Sequence, residues 1–409
     1  MVKSLGKVAI IGQGYVGLPL AVLATNSGYS VIGIDNDVSK IASLKNGKSY
    51  IEDVQDAEVS NMLGKGQFLP SIDYNLISEA QYVVFCLPTP VDSENQPDLS
   101  ILLTAVREAS SFIQKGSVVI SESTSFPGTL RNLIAPEFSA LGENSVYLGV
   151  APERVDPAND SFSTAEIPRL VSGLNEKATE IVKEFYETLG MKVIATSTPE
   201  VAEAAKLLEN TFRQVNIALV NEFAKTSAAI GIDVREVIEA AASKPYGFMK
   251  FNPGPGVGGH CIPVDPHYLT WISRQHGCDS SLVELANRTN EEMPLYVISR
   301  FRALFPRDLI GKKILVAGIA YKAGVSDLRE SPALEIINQL VSLGANVSWY
   351  DPLVVEYEGE KPSNLNEIYD GVIVTLPKLN LPIDHWVNSG AKIFDCTGYY
   401  RNFKGLYQL

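Results

Sequence analysis

A glycine-rich turn near the amino terminus constrains the fold of this 409-residue chain more than any other feature. Gly12, Gly14 and Gly17 follow a short apolar strand, Lys7 to Ile11, and open a predicted helix, Leu18 to Ser27. In such a turn the first glycine permits a tight bend, the second lets a pyrophosphate approach the backbone, and the third allows close packing of helix on strand. The helix N-terminus adds N–H donors and a positive dipole end. The motif therefore predicts a dinucleotide-binding Rossmann unit.

An acidic residue, Asp35, stands directly after the second predicted strand, Ser30 to Ile34. A carboxylate at this place accepts hydrogen bonds from ribose hydroxyls and repels a 2′-phosphate, which favours NAD over NADP. The alternative is a solvated loop carboxylate with no ligand.

The rest of the chain predicts a second lobe of the same class. Further strands of the first lobe are predicted at Tyr82 to Leu87, Ser117 to Glu122, Val146 to Ala151 and Met191 to Ala195. From Pro199 to about Ala242 the sequence is typical of helix. A second open sheet is predicted from strand Lys313 to Ala317, helix Ala333 to Leu343, strand Asn346 to Tyr350, and strands Gly371 to Thr375 and Lys392 to Asp395. We therefore expect an α/β fold of two Rossmann-like, doubly wound parallel sheets joined by a central helical segment, divided as 1–198, 199–296 and 297–409.

Composition excludes several partners. The net charge of −13 argues against nucleic acid or an anionic membrane, because binding to phosphates requires clustered Lys and Arg. The apolar run at Val8 to Ile11 has the length of a strand and not of a signal sequence or membrane span. The four cysteines are dispersed without metal-binding spacing, which predicts a reduced, cytoplasmic compartment and no metal site.

One cysteine, Cys261, lies in a glycine- and proline-rich run, 252–266, just before Pro266. Pro266 is a favourable first residue of a helix, and a thiol near a helix N-terminus tends towards the reactive thiolate. A redox cofactor and one placed thiol together suggest a dehydrogenase that oxidises through a covalent sulfur adduct. Asp265 would either cap this helix or activate a water, and His260 is interpreted as a local hydrogen-bonding residue.

Two groups of polar residues have both a functional and a structural interpretation. Lys206, Asn210 and Arg213 share one face of the central helix, where they would either stabilise an oxyanion or simply face water. Lys322 and Arg329, in the second lobe, would either hold phosphate or ribose groups or form a solvated loop.

These motifs together resemble the UDP-glucose/GDP-mannose dehydrogenase family, and the similarity runs nearly from end to end. Besides the glycine turn, the matching segments are Leu87-Pro88-Thr89-Pro90, Ser121-Glu122-Ser123-Thr124, Pro127-Gly128-Thr129, Ala151-Pro152-Glu153-Arg154, Glu203 to Asn210, Gly258-Gly259-His260-Cys261 with Asp265, and Ala320-Tyr321-Lys322 with Arg329-Glu330-Ser331. Members of this family oxidise the C6 alcohol of a nucleotide sugar to a carboxylate with NAD. The resemblance implies an NAD-dependent nucleotide-sugar 6-dehydrogenase whose third domain binds the nucleotide sugar.

The resemblance also implies roles for individual residues. The implied catalytic residues are Cys261 as nucleophile, Lys206 and Asn210 as oxyanion and water-positioning groups, Asp265 and Thr124 as helpers in proton transfer, and Glu153 as a further acid or base. The implied NAD-binding residues are Gly12, Gly14, Tyr15, Val16, Gly17, Asp35, Lys40, Thr89, Thr124 and Arg329. The implied UDP-sugar-binding residues are Arg154, Val155, Lys206, Asn210, Arg213, Phe251, Gly258, Tyr321 and Lys322.

In the implied mechanism, one hydride leaves C6 for NAD and Cys261 captures the aldehyde as a thiohemiacetal. A second hydride transfer leaves a thioester, from which water releases the acid. Two other classes remain open. An ordinary two-electron dehydrogenase would leave Cys261 incidental, and a silent NAD-binding regulator would bind the cofactor without turnover.

Departures from the family pattern bear on the sugar. UDP-glucose members typically have Ser, Lys, Phe-Leu and Glu where this chain has His260, Val264, Arg154-Val155 and Pro157. Arg154-Val155 and the run 253–256 are similar to members acting on UDP-N-acetylhexosamines, and the stretch 244–271 is most similar to UDP-N-acetylglucosamine 6-dehydrogenases. UDP-N-acetylmannosamine, then UDP-glucose, are the alternatives. The product would serve surface polysaccharide synthesis, and the apolar face near 216–229 suggests a homodimer or larger homo-oligomer, as in the family.

Overall fold

The computed structural model describes residues 5–142, 145–154 and 166–409. It divides into two compact units. The first comprises Met1–Glu209 with His267–Gly277, and the second comprises Asn210–Pro266 with Cys278–Leu409. The three-domain division of the sequence at 198 and 296 stays a prediction.

The first unit is built on an eight-stranded sheet with the order β3-β2-β1-β4-β5-β6-β7-β8. Its strands are β1 (Lys7–Ile11), β2 (Ser30–Ile34), β3 (Phe68–Ser71), β4 (Tyr82–Phe85), β5 (Val118–Ser121), β6 (Tyr147–Val150), β7 (Arg169–Gly173) and β8 (Val193–Ala195). The pairs from β3 through β6 are parallel. The strand β7 pairs antiparallel with β6, through Gly149 with Gly173 and Val150 with Ser172, and parallel with β8.

Helices cover this sheet because its central strands are apolar on both faces. They are α1 (Gly17–Asn26), α2 (Val38–Lys45), α3 (Asp56–Gly64), α4 (Ser100–Ser110) and α5 (Glu176–Thr188), with shorter helical turns at Tyr74–Glu79, Leu130–Ile134 and Ala135–Leu141. The core joins Val8 and Ile10 of β1 to Leu18 of α1 and to Val182 and Phe185 of α5, all fully buried.

A long helix, α6 (Pro199–Ile230), follows the first sheet. The next helices are α7 (Val234–Ala242), α8 (Asp265–Gln275), α9 (Ser281–Glu291) and α10 (Met293–Arg302). Within the second unit, paired amides join α6 to α9. Asn221 Nδ2 donates to Asn290 Oδ1 at 2.9 Å, and Asn221 Oδ1 accepts from Gly254 N at 2.9 Å. This amide pair therefore holds the start of the glycine-rich run on α6.

The second unit also contains a five-stranded parallel sheet with the order β10-β9-β11-β12-β13. Its elements are β9 (Lys313–Ala317), α11 (Pro332–Ser342), β10 (Asn346–Tyr350), β11 (Gly371–Val374), α12 (Ile383–Asn388), β12 (Lys392–Asp395) and β13 (Leu406–Gln408). The side chain of Trp386 on α12 is fully buried, and its indole N–H donates to Leu365 O at 3.1 Å. Among the described residues, no helix is long and apolar enough to cross a membrane.

The predicted α/β class with two Rossmann-like sheets is confirmed. The strands β1, β2, β9, β10 and β12 have their predicted bounds, and most other predicted elements are shifted by a residue or two at their ends. The sequence did not predict β3, β7 or β13. Cys86, expected inside a strand, lies just beyond β4 and is half-buried, whereas Cys396 is buried as expected.

Gly173 offers a test of the packing of α5 on the sheet. A Cβ at Gly173 would lie 2.5 Å from the Cβ of Ala178 and 2.5 Å from Thr179 N. We expect Gly173→Ala to lower the free energy of unfolding by about 1–3 kcal/mol, because the backbone of α5 must move. Gly64→Ala, in α3, is the matched control, since its Cβ would meet nothing within 4 Å. Denaturant unfolding of both variants checks this, and equal stabilities would contradict it.

Candidate active site

The glycine turn after β1 has the geometry of a phosphate-binding loop. A Cβ at Gly12 would lie 2.3 Å from Cys86 O, and one at Gly17 would lie 1.8 Å from Gly12 O. A Cβ at Gly14 would meet nothing within 4 Å. The first and third glycines are thus required by packing, whereas the second leaves an open approach to the backbone at the start of α1. This arrangement fits a dinucleotide pyrophosphate.

Asp35 lies beside this turn and is buried, so the solvated-loop interpretation does not hold. Its Oδ2 accepts from Gln13 N at 2.9 Å and its Oδ1 accepts from Asp37 N at 2.9 Å. The ammonium of Lys40 lies 3.6 Å from Asp35 Oδ2. The carboxylate is therefore fixed by the glycine turn itself, at the place where a ribose would be bound.

The sequence motifs did not predict two residues that contact the glycine turn. Tyr50 donates its hydroxyl to Gln13 O, and Glu52 accepts from the hydroxyl of Tyr15 at 3.0 Å. Burial, followed by the charge of Asp35, raises the pKa of Tyr50, which keeps this phenol protonated as a donor. Both residues come from the segment after α2, which carries no motif that would have indicated them. Val16, also predicted to bind NAD, is half-buried at the start of α1.

The predicted NAD residues Thr89 and Thr124 follow β4 and β5 in the first unit. Thr89 is buried and its carbonyl accepts from the Tyr268 hydroxyl at 3.0 Å, whereas Thr124 is half-buried. The turn after Thr124 is held by Glu203 of α6, which accepts from Gly128 N at 2.6 Å and from Leu130 N at 3.0 Å. Burial raises the pKa of Glu203 to about 7, against the lowering effect of those two N–H donors.

Glu153, the predicted acid or base, lies just beyond β6 in a cluster of buried charges. Arg169 Nη1 lies 2.6 Å from Glu153 Oε2 and 3.3 Å from Glu122 Oε2. The other oxygen of Glu122 accepts from the hydroxyl of Tyr186. The sequence assigned no role to Glu122, Arg169 or Tyr186.

Arg154, predicted to bind the sugar nucleotide, makes several contacts within the first unit. Its Nε and Nη2 donate to the two carboxylate oxygens of Glu209 at 3.0 and 2.7 Å, and its Nη1 donates to Pro168 O at 2.6 Å. The orientation of this guanidinium is therefore set by protein groups. Its neighbour Val155 lies outside the described residues.

The helix α6 buries polar residues as well as apolar ones such as Leu207. Lys206 and Asn210 are buried, whereas Leu208 and Phe212 are 64% and 47% exposed. The expectation that this polar stripe faces water is wrong for Lys206 and Asn210. It holds for Arg213, which is exposed. Phe251 packs edge-on against Phe212, with ring centroids 6.1 Å apart.

The run that carries Cys261 leads directly into α8. Cys261 is half-buried, and its carbonyl accepts from Val264 N at 3.2 Å and from Asp265 N at 2.8 Å. Asp265 is buried at the start of α8, and its Oδ2 accepts from Asn210 Nδ2 at 2.5 Å. Three of the predicted catalytic residues, Cys261, Asp265 and Asn210, are thus brought together within the second unit.

The same run approaches the turn after β9. A Cβ at Gly258 would lie 2.8 Å from Tyr321 Cβ, and Gly259 has φ +87° with the ring of Tyr321 at 2.7 Å from its Cβ position. Gly259 N donates to Arg329 O at 3.0 Å. The guanidinium of Arg329 is held by Asp327, with Nη2 at 2.6 Å from Oδ2. Lys322, predicted to bind phosphate, is half-buried in this turn.

The turn after β9 is bound by an acidic residue that follows the next strand, as Asp35 binds the glycine turn after β1. Asp351 follows β10 and accepts from Ile319 N at 3.0 Å and from Ala320 N at 3.1 Å. These two N–H groups of the turn are directed at a protein carboxylate. In the described part of the chain, no group of three or more His, Cys, Asp or Glu residues is placed to hold a metal ion.

Comparison with known proteins agrees with this geometry. Sequence models for the UDP-glucose/GDP-mannose dehydrogenase family match residues 6–190 (NAD binding domain), 200–292 (central domain) and 315–375 (UDP binding domain). The chain is 36% identical to a UDP-N-acetyl-D-mannosamine dehydrogenase of Methanococcus maripaludis, over 86% of this chain and 81% of the relative. It is 34% identical to a UDP-N-acetyl-D-glucosamine 6-dehydrogenase of Pseudomonas aeruginosa, over 90% of each chain.

A solved structure shares the whole architecture. The UDP-D-ManNAc dehydrogenase from Pyrococcus horikoshii superimposes with a TM-score of 0.89 at 30% identity, covering 98% of each chain. The fold and the glycine turn define an NAD-dependent oxidoreductase. The chain belongs to the UDP-glucose/GDP-mannose dehydrogenase family, and it is an NAD-dependent nucleotide-sugar dehydrogenase.

The glycines before Cys261 provide a test of the site geometry. We expect Gly259→Ala to reduce turnover roughly tenfold or more, because the new Cβ at positive φ displaces either Tyr321 or the backbone leading to Cys261. Gly254→Ala is the control on the same run, since its Cβ would meet only Gly256 O, at 4.0 Å. Steady-state NADH formation by both variants checks this, and equal turnover would contradict it.

Proposed function

We propose that this chain oxidises the C6 alcohol of a UDP-N-acetylhexosamine to a carboxylate through a thioester on Cys261, and that UDP-N-acetylglucosamine is the preferred sugar. The observation that carries the mechanism is the placement of Cys261 at the turn into α8, beside a buried Asp265 that is hydrogen-bonded to Asn210. The relatives named for the N-acetylmannosamine and N-acetylglucosamine sugars support the substrate class. The similarity at 244–271 favours N-acetylglucosamine. UDP-N-acetylmannosamine is the second candidate.

NAD, held by the glycine turn and Asp35, supplies the hydride acceptor for both oxidation steps. The residues of the chain do the remaining chemistry. The Cys261 thiolate adds to the C6 aldehyde carbon, and the family resemblance implies that Lys206 stabilises the oxygen that becomes negative. Asn210 and Asp265 orient a water, and Glu153 accepts its proton as the water oxygen bonds to the thioester carbon. The C–S bond then breaks and Cys261 leaves as thiolate.

The matched UDP binding domain supports a site for the nucleotide on the second unit. Lys322 supplies a cation for the diphosphate, and Tyr321 presents its ring beside Gly258 and Gly259, whereas the family resemblance implies that Arg329 binds NAD. The family resemblance implies sugar-nucleotide-binding roles for Phe251, Arg154 and Arg213. Cytoplasmic location and a role in surface polysaccharide synthesis stay predictions.

The reaction stoichiometry tests the proposal. Limiting UDP-N-acetylglucosamine or UDP-N-acetylmannosamine in excess NAD should yield two NADH per sugar, because one site oxidises the alcohol and then the bound aldehyde. UDP-glucose and GDP-mannose complete the panel. One NADH per sugar would favour a two-electron dehydrogenase, and NAD binding without any turnover would favour the regulator.

One substitution tests the role of the Cys261 thiol in catalysis separately from NAD binding. We expect Cys261→Ser to abolish thioester formation while NAD affinity changes less than about twofold, since the glycine turn and Asp35 are unaltered. Cys278→Ser, at an exposed cysteine, is the control and should keep the wild-type yield. Mass spectrometry of the trapped acyl-enzyme and NADH yield check this. Unchanged four-electron turnover by Cys261→Ser would overturn the mechanism.

The exposed apolar face of α6 supports a homodimer. Phe212, Leu219, Phe223 and Ile230 recur at helical spacing on one face, and each is at least partly exposed, from 36% for Phe223 to 64% for Ile230. An apolar stripe of this kind marks a protein interaction surface. The twofold self-pairing of this stripe is the simplest arrangement that covers it.

Charged substitutions test this interface. The double variant Leu219→Glu/Phe223→Glu should run as a monomer of 44.4 kDa, because two carboxylates on the stripe cannot be buried in a symmetric contact. Val341→Glu, at an exposed position of α11, is the control and should keep the wild-type mass. Light scattering after gel filtration checks this, and an oligomer that survives the double substitution would contradict it.

A further inference from the structure

Three strand ends of the first unit converge on one set of charges. Glu122 directly follows β5, Glu153 lies just beyond β6, and Arg169 is the first residue of β7. The carboxyl ends of the parallel strands β5 and β6 meet at one edge of the sheet. Because β7 is antiparallel to β6, its amino end reaches the same edge. The strand directions therefore place a guanidinium between two carboxyl groups.

The cluster is almost inaccessible to solvent. The side chains of Glu122 and Arg169 are 0% and 3% exposed, whereas Glu153 is 14% exposed. Arg169 Nη1 is 2.6 Å from Glu153 Oε2 and 3.3 Å from Glu122 Oε2. Glu153 Oε1 accepts from Arg154 N at 2.7 Å. Glu153 is thus the outer member, with Arg169 and Glu122 behind it.

The titratable groups that face Glu122 come from every strand end and helix around it. In the described part of the chain these are Cys86 after β4, Glu153, Arg169, and Tyr186 of α5. Burial raises the pKa values of the Cys86 thiol and the Tyr186 phenol well above their usual range, so both are neutral. The cluster would then hold one cation and two anions if both carboxyl groups were ionised.

Such an unbalanced charge is costly in a buried site, and one proton relieves it. Burial, reinforced by the charge of Glu153, raises the pKa of Glu122 to about 8 against the opposing effect of Arg169. Burial alone would lower the pKa of Arg169, but the two carboxyl groups outweigh it and raise the value. The raised pKa of Glu122 favours its protonated form near neutral pH, while Arg169 remains charged.

We propose that Glu122 and Arg169 are positioning residues for the proposed reaction, and that protonated Glu122 leaves the guanidinium of Arg169 to Glu153 and so keeps Glu153 ionised as the base. This inference rests on the proposed function. In thioester hydrolysis, the proton released by the attacking water must go to an ionised Glu153. A neutral Glu122 donates a hydrogen bond to Glu153, whereas an ionised Glu122 would compete with it for the single cation.

The pH dependence of turnover tests this role. Removing a cation in contact with a carboxylate raises the pKa of that carboxylate by about one to three units. We expect Arg169→Gln to move the acidic limb of the kcat profile upwards by about one pH unit or more. Arg107→Gln is the matched control, since it removes an arginine that is paired with Glu137 away from the cluster. An acidic limb at the same pH in Arg169→Gln and wild type would overturn the inference.

Two neutral variants at Glu122 differ in whether they keep its hydrogen bonds. Glutamine is neutral and keeps both a donor and an acceptor, whereas leucine keeps neither. We expect Glu122→Gln to retain at least about fivefold more turnover than Glu122→Leu, because the donor to Glu153 is kept. Equal losses would overturn the inference. Should Arg169→Gln fail to fold, Glu122→Gln/Arg169→Gln removes the buried cation while keeping a neutral hydrogen-bonding group at position 122, and its acidic limb should also be displaced upwards.

A substrate-free measurement distinguishes failure of this inference from failure of the proposed function. Because the pKa of Glu122 is raised from 4.5 to about 8 by folding, its protonated form stabilises the fold at low pH, and this contribution is lost as pH rises through about 8. The free energy of unfolding of the wild type should therefore decline between pH 4.5 and about 8 relative to Glu122→Gln. Parallel curves would overturn the inference whether or not the enzyme acts on UDP-N-acetylhexosamines. A wild type that declines as expected but oxidises none of these sugars would overturn the proposed function alone.

Discussion

The antiparallel direction of β7 determines which charges meet at the active edge of the first sheet. A parallel strand in this place would present its own carboxyl end, and Arg169 would lie at the opposite edge. The reversed strand instead places the guanidinium 2.6 Å from Glu153, where it compensates a carboxylate that has little access to water. The direction of one strand thus determines a buried ion pair between Arg169 and Glu153.

The helix α6 also buries polar side chains, beside apolar ones such as Leu207. Burying Lys206 and Asn210 costs free energy unless each finds a partner, and the Asn210 amide donates to the buried carboxylate of Asp265. The apolar side chains of Leu208 and Phe212 are left exposed on the other face. One helix therefore carries both buried polar side chains and an exposed apolar stripe.

Local signals predicted much of this protein. The spacing of Gly12, Gly14 and Gly17 after an apolar strand predicted the first Rossmann unit, because this short motif is readable within a few consecutive residues. The role of Arg169 could not be predicted in this way. Its ion pairs join segments far apart in the chain, and their formation depends on a strand direction that alternation of residue types does not encode. Glu122 stood inside a recognisable motif, but the burial that raises its pKa is apparent only in the fold.

The glycines before Cys261 allow the backbone to pass close to Tyr321. A reactive thiol needs a fixed position, and glycine is the most flexible residue in an unfolded chain. The conflict is resolved by packing: the ring of Tyr321 occupies the space that a side chain at Gly259 would need, and Gly259 N is bound by Arg329 O. At the start of the run, Asn221 holds Gly254 N, and at its end the Cys261 carbonyl accepts from Asp265 N. The absence of side chains thus allows close backbone contacts at several points, and these contacts determine the path of the run in the fold.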